Sequence, residues 1–108
     1  MTKYYALKEN GQKNNYLRAD LFYDLGGYSY FTGNANARGY YISVRPVSKG
    51  DRMESYTLFD GIKKLVKEVT RQSKKAEQEA ENMFPDEVQQ LIDYVCKQHG
   101  YELADENI

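Results

Sequence analysis

Residues 26–58 read GGYSYFTGNANARGYYISVRPVSKGDRMESYTL, from Gly26 to Leu58. Gly26-Gly27 is a paired-glycine turn, and Gly33 and Gly39 bracket a loop of small polar residues. Two runs of strand-forming residues follow, 40–47 and 52–58, joined by the turn Ser48-Lys49-Gly50-Asp51. In the first run Tyr40, Ile42 and Val44 fall on one face by period-two alternation. Pro46 has no N–H to give a ladder, which places it at a strand end, a bulge or an outer edge. The stretch therefore predicts the middle of a small antiparallel meander.

Working back toward the start, residues 3–9 predict a first strand centred on Tyr4-Tyr5-Ala6-Leu7. Asn10-Gly11 begins the turn after it, since both residues tolerate positive φ. A second strand runs from about Tyr16 to Leu25. Its odd positions, Leu17, Ala19, Leu21, Tyr23 and Leu25, form an apolar face. Tyr16, Arg18, Asp20, Phe22 and Asp24 form a mixed face that meets water. Residues 28–31 read as a short strand or an ordered loop.

Working forward, Asp60 is placed to cap a long helix. Ile62, Leu65, Val66, Val69, Ser73, Ala76, Ala80 and Met83 recur at helical spacing. Pro85 breaks that helix and suits the first turn of a second, lined by Val88, Leu91, Ile92 and Val95 and stopped at Gly100. Tyr101 and Leu103 read as a short strand or a loose contact, and the acidic residues 104–108 as a mobile tail. The expected fold class is α+β in a single domain, residues 1–108. It consists of an antiparallel sheet of three to four strands followed by two helices packed on one face.

The 108 residues, 41% apolar and 29% charged, suit one folded core. The longest uncharged stretch, 25–37, is rich in glycine and asparagine, so no membrane span is expected. The first residues lack the apolar run of a secretory leader, and one cysteine makes no internal disulfide. A cytoplasmic location is the expectation. The net charge of −1 conceals a polarity: residues 1–60 carry +2, residues 61–75 carry +5 and residues 76–108 carry −8.

That polarity supplies the leading candidate site. On a helix, Lys63, Lys67, Arg71 and Lys74 would line one ridge flanked by Lys64 and Lys75, able to follow the phosphates of a nucleic acid. A solvated helix face is the plainer reading. Nine of the eleven tyrosines lie in the first 60 residues. Tyr28, Tyr30, Tyr40 and Tyr41 with Arg38 would offer a platform for unpaired bases beside the glycine loop. Alternation instead sends half of these rings into the core, and an exposed set would equally suit a protein partner. The loop at 33–39 lacks the Gly-Lys-Ser/Thr of a phosphate-binding loop.

Chemistry finds less support. Cys96 and His99 are close enough on a helix to meet, but His99 more simply complements the helix C-terminal dipole while Cys96 packs as a small apolar residue. Asp20 and Asp24 share a strand face that Glu54 would join from a neighbouring strand, and surface charges are the plainer reading. No metal site or cofactor is expected. The segments Gly-Gly-Tyr-Ser-Tyr-Phe-Thr-Gly (26–33), Arg-Gly-Tyr-Tyr-Ile-Ser-Val-Arg-Pro-Val (38–47) and Gly-Ile-Lys-Lys-Leu (61–65) resemble small proteins carried by bacterial mobile elements. The resemblance implies an accessory role in a phage, plasmid or conjugative element and transfers no site residue. The expectation is a non-enzymatic macromolecule-binding domain, nucleic-acid binding through the ridge being favoured. The alternative is a protein-interaction module or homodimer that uses the tyrosine-rich sheet or the small-residue stripe from Ala76 to Met83.

Overall fold

A computed structural model describes residues 1–9, 15–28, 35–48 and 61–105. Four strands, β1 (Thr2–Ala6), β2 (Tyr16–Asp24), β5 (Gly39–Val47) and β6 (Ile62–Glu68), form an antiparallel sheet in the order β1-β2-β5-β6. Between β2 and β5 a small antiparallel pair is inserted, β3 (Gly27–Tyr28) with β4 (Ala35–Asn36). One helix, α1 (Lys74–His99), packs on one face of the sheet. The fold is α+β with a four-stranded antiparallel sheet, and it has one described helix where two were expected.

The alternation in β2 is realised up to Tyr23, whereas Leu25, expected on the same apolar face, lies past the strand end and is exposed. Leu17, Ala19 and Leu21 are buried and Tyr23 packs against the core. Tyr40, Ile42 and Val44 join them from β5 through the pairs Tyr23↔Tyr40, Leu21↔Ile42 and Ala19↔Val44. The β5–β6 pairing of the described residues runs as far as Val44↔Ile62, and Pro46 stands opposite Leu17 of β2. Gly26 and Gly27 turn the chain out of β2 at φ of 75° and 114°. A Cβ on Gly26 would also come within 2.7 Å of the Asn36 carbonyl oxygen.

The segment expected to open the first helix is instead the edge strand β6. A bulge between Tyr40 and Tyr41 explains the misleading pattern, because Tyr40 pairs with Lys67 but Tyr41 pairs with Leu65. One extra residue converts alternation into a three-and-four spacing, and Ile62, Val66 and Val69 pack against the core. The bulge brings the Lys67 carbonyl onto Gly39, where a Cβ would collide with it and lie 2.9 Å from the Glu68 Cα. The expected strand at 52–58, the turns at 10–11 and 49–51, and the expected cap Asp60 lie outside the described residues.

α1 begins at a different cap. Ser73, at φ −151° and ψ 154°, accepts the Ala76 N–H on its Oγ at 3.1 Å. The helix runs through Pro85 without ending. Pro85 is exposed and costs about 3 kcal/mol through its missing N–H and its clash. On the adjoining face Phe84, Val88, Leu91, Ile92 and Val95 are buried, each favouring the helix by about 1.5–3 kcal/mol, so burial wins. Ala76 and Ala80 are buried in the same stripe, which is therefore committed to the sheet rather than to a partner. Gly100, at φ 70°, ends the helix by donating its N–H to the Cys96 carbonyl.

Beyond the helix the chain returns to β1. Leu7 and Leu103 form an antiparallel bridge, flanked by Lys8 N–H to the Glu102 carbonyl at 2.8 Å and Ala104 N–H to the Ala6 carbonyl at 2.9 Å. The expected tail is thus tied down at residue 104, and residues 106–108 lie outside the described set. Among the described residues no helix is long and apolar enough to cross a membrane.

Candidate functional site: the sheet face opposite the helix

The even positions of β2 face away from α1. Register carries Arg18 opposite Arg45, Asp20 opposite Ser43 and Phe22 opposite Tyr41, while Ser43 lies opposite Lys63 on β6. All of these but the buried Tyr41 border a concavity of about 700 Å³.

One end is built around Asp20. Its carboxylate accepts from Thr2 Oγ1 at 2.5 Å and lies 3.0 Å from Arg18 Nε, while the guanidinium sits 5.9 Å from the centre of the Tyr4 ring. Tyr4 is exposed. Arg18 stands directly opposite Arg45, with Asp20 beside it, and the Arg18 and Asp20 side chains are largely covered.

The other end is built around Lys63. Its ammonium lies 2.6 Å from Asp24 Oδ2 and 4.3 Å from the centre of the Tyr41 ring. Phe22 stacks beside Tyr41 with ring centres 6.0 Å apart, and the Tyr41 hydroxyl donates to the Ala37 carbonyl. The Lys63 hydrogen bond holds the Asp24 carboxyl below its ordinary value, helped by the Gly26 N–H and opposed by burial. Asp24 is a fixed carboxylate there and a poor proton donor.

The expected basic ridge does not form. Lys63 points to the open face, whereas Lys64 and Lys67 reach the helix and pair with Glu87 and Glu79, each at 2.6 Å. Arg71 lies in the turn before α1 and Lys74 is its first residue, so the four share no helix face. The tyrosine platform is likewise dispersed. Tyr40 is in the core, edge-on to Tyr23, while Tyr41 lies on the opposite face. The backbone of Tyr28 lies in β3, and Tyr30 lies outside the described residues. Arg38 precedes β5 and donates from Nε to the Leu25 carbonyl at 2.8 Å.

Asp20 and Asp24 do share a face, each engaged by its own cation, and Glu54 lies outside the described residues. Cys96 packs half-buried at the core edge, where burial and then Asp93 push its thiol up. The His99 ring stacks on Tyr101 at 5.2 Å. Among the described residues no group of three or more His, Cys, Asp or Glu is placed to hold a metal ion. Sequence reasoning passed over Arg18, Phe22 and Arg45 as site residues. Alternation had already put Arg18 and Phe22 on the wet face, and Arg45 follows from Tyr41 and Ser43 by the same period. Comparison of the chain with protein-family models, with curated proteins and with solved structures found no match in any of the three.

Proposed function

We propose that this chain is a non-enzymatic protein-binding module that works through the sheet face opposite α1. The observation that carries this reading is that Arg18, Arg45, Phe22 and Lys63 line one concavity, with Phe22 stacked beside the buried Tyr41. Arginine and aromatic side chains are the favoured anchors of protein interfaces, because they bury large area around a few directed hydrogen bonds. Both signs of charge are interleaved here, with Asp20 beside Arg18 and Asp24 beside Lys63. Such a pattern suits a partner of matching detail more than a uniform polyanion.

The test is reconstitution with purified partner, a second copy of this chain included, after capture from cell extract and sedimentation of the protein alone. Phe22→Ala combined with Arg45→Ala is expected to weaken the reconstituted complex about 30-fold or more, the ~2 kcal/mol of a hot-spot truncation. Gln90→Ala, on an exposed position of α1, serves as the control. A partner that binds the double variant as tightly as the wild type, with unchanged melting temperature, would overturn the reading.

A further inference from the structure

The turn between β6 and α1 gathers cations that are not committed to the contact between those two elements. Lys63, Lys64 and Lys67 each lie 2.6 Å from a carboxylate oxygen. Arg38 and Arg71 instead line a second concavity, of about 610 Å³, together with Glu68, Val69, Thr70 and Ser73. It shares no lining residue with the concavity on the sheet face.

Arg38 is held there by its own backbone and side chain. Its carbonyl accepts the Val69 N–H at 3.1 Å and its Nε donates to the Leu25 carbonyl at 2.8 Å. Both arginines are exposed, and the exposed Lys74 and Lys75 follow directly on α1. Among the described residues Glu68 lines the concavity with the two arginines, and Glu79, which feels the Lys75 charge, pairs with Lys67.

We infer that this corner binds the phosphodiester backbone of a nucleic acid. Arginine presents a planar set of donors that matches phosphate oxygens; Arg38, with its Nε turned to the Leu25 carbonyl, offers its terminal amino groups beside Arg71 on one concavity. The concavity is much larger than a single phosphate and open, which favours a passing backbone over a captured free anion. No aromatic ring is among its lining residues, so the contact is to phosphate and sugar and is blind to base sequence. The inference is independent of the protein-binding reading, because it uses different residues on a different part of the surface.

Fluorescence anisotropy with labelled DNA and RNA oligonucleotides, titrated from low to physiological salt, tests it. The wild-type affinity is expected to fall as a power of salt concentration. Arg38→Ala with Arg71→Ala lowers that slope by about 1 per arginine and weakens binding equally on every sequence. Lys97→Ala, at an exposed cation in the last turn of α1, leaves the slope unchanged. Arg71→Glu alone gives the same direction should the double variant fail to fold. Three results would overturn the inference: no binding at the lowest salt, a wild-type slope in the arginine variants, or binding to phosphatidylserine vesicles without binding to nucleic acid.

Discussion

Asp24 shows how one side chain joins the folding of the sheet to the character of its open face. Its carboxylate holds the Lys63 ammonium over Tyr41 and accepts the Gly26 N–H at 2.7 Å, so it ties β2 to β6 across β5 and also shapes the turn after β2. Because the folded carboxyl sits below its ordinary value, the unfolded chain binds a proton at Asp24 more readily than the folded one. The stability it confers is complete above the ordinary aspartate range, about 3.9, and is lost as pH falls from there through the lower folded value. Asp24→Asn is therefore expected to lose less stability than the wild type between about pH 6 and pH 2.5, in urea titrations at each pH. Equal acid sensitivity in the two proteins would detach Asp24 from Lys63. The face of Asp24 was legible from alternation alone. Its partner was not, because Lys63 had been placed on a helix, and only strand register brings residues 24 and 63 together.

The strand β6 and the helix α1 divide a segment whose apolar spacing is ambiguous. Residues 62–69 carry lysine and glutamate, good helix formers, and their apolar positions fit a helical stripe until the bulge is taken into account. Pairing with β5 overrides that local preference, and Gly39 permits it by leaving room for the Lys67 carbonyl. The true start signal is Ser73, a strong cap residue that the helical reading had absorbed into its apolar stripe. Ser73→Ala is accordingly expected to lower stability by about 1 kcal/mol in denaturant titrations, with the helical circular-dichroism signal of the folded protein retained. No change on this substitution would place the start of the helix elsewhere. Pro85 was misread for a related reason. A proline marks a helix boundary only where burial of the residues around it does not outweigh its cost.

Taken as a whole, the molecule turns a polarity along the chain into contacts within itself. The basic segment 61–75 and the acidic segment after it are neighbours in space, and Lys64–Glu87 and Lys67–Glu79 join them. The Lys67 hydrogen bond, with its charge, lowers the Glu79 carboxyl, and the Lys75 charge adds to this. Much of the positive charge that suggested a nucleic-acid ridge is thus answered by α1, and what is left collects at the corner of Arg38 and Arg71. The α+β class, the apolar faces of β2 and β5 and the end of the helix at Gly100 could all be read in the sequence, because each rests on local periodicity or a single special residue. The composition of the open face could not, because it depends on which strand neighbours which. That assignment rests above all on residues 62–68 being a strand beside β5. Cross-strand nuclear Overhauser effects in the labelled protein test it most directly. Backbone contacts joining Ser43 to Lys63 and Tyr41 to Leu65 are predicted, whereas a run of helical contacts between residues three apart through 61–72 would contradict the fold and the face built on it.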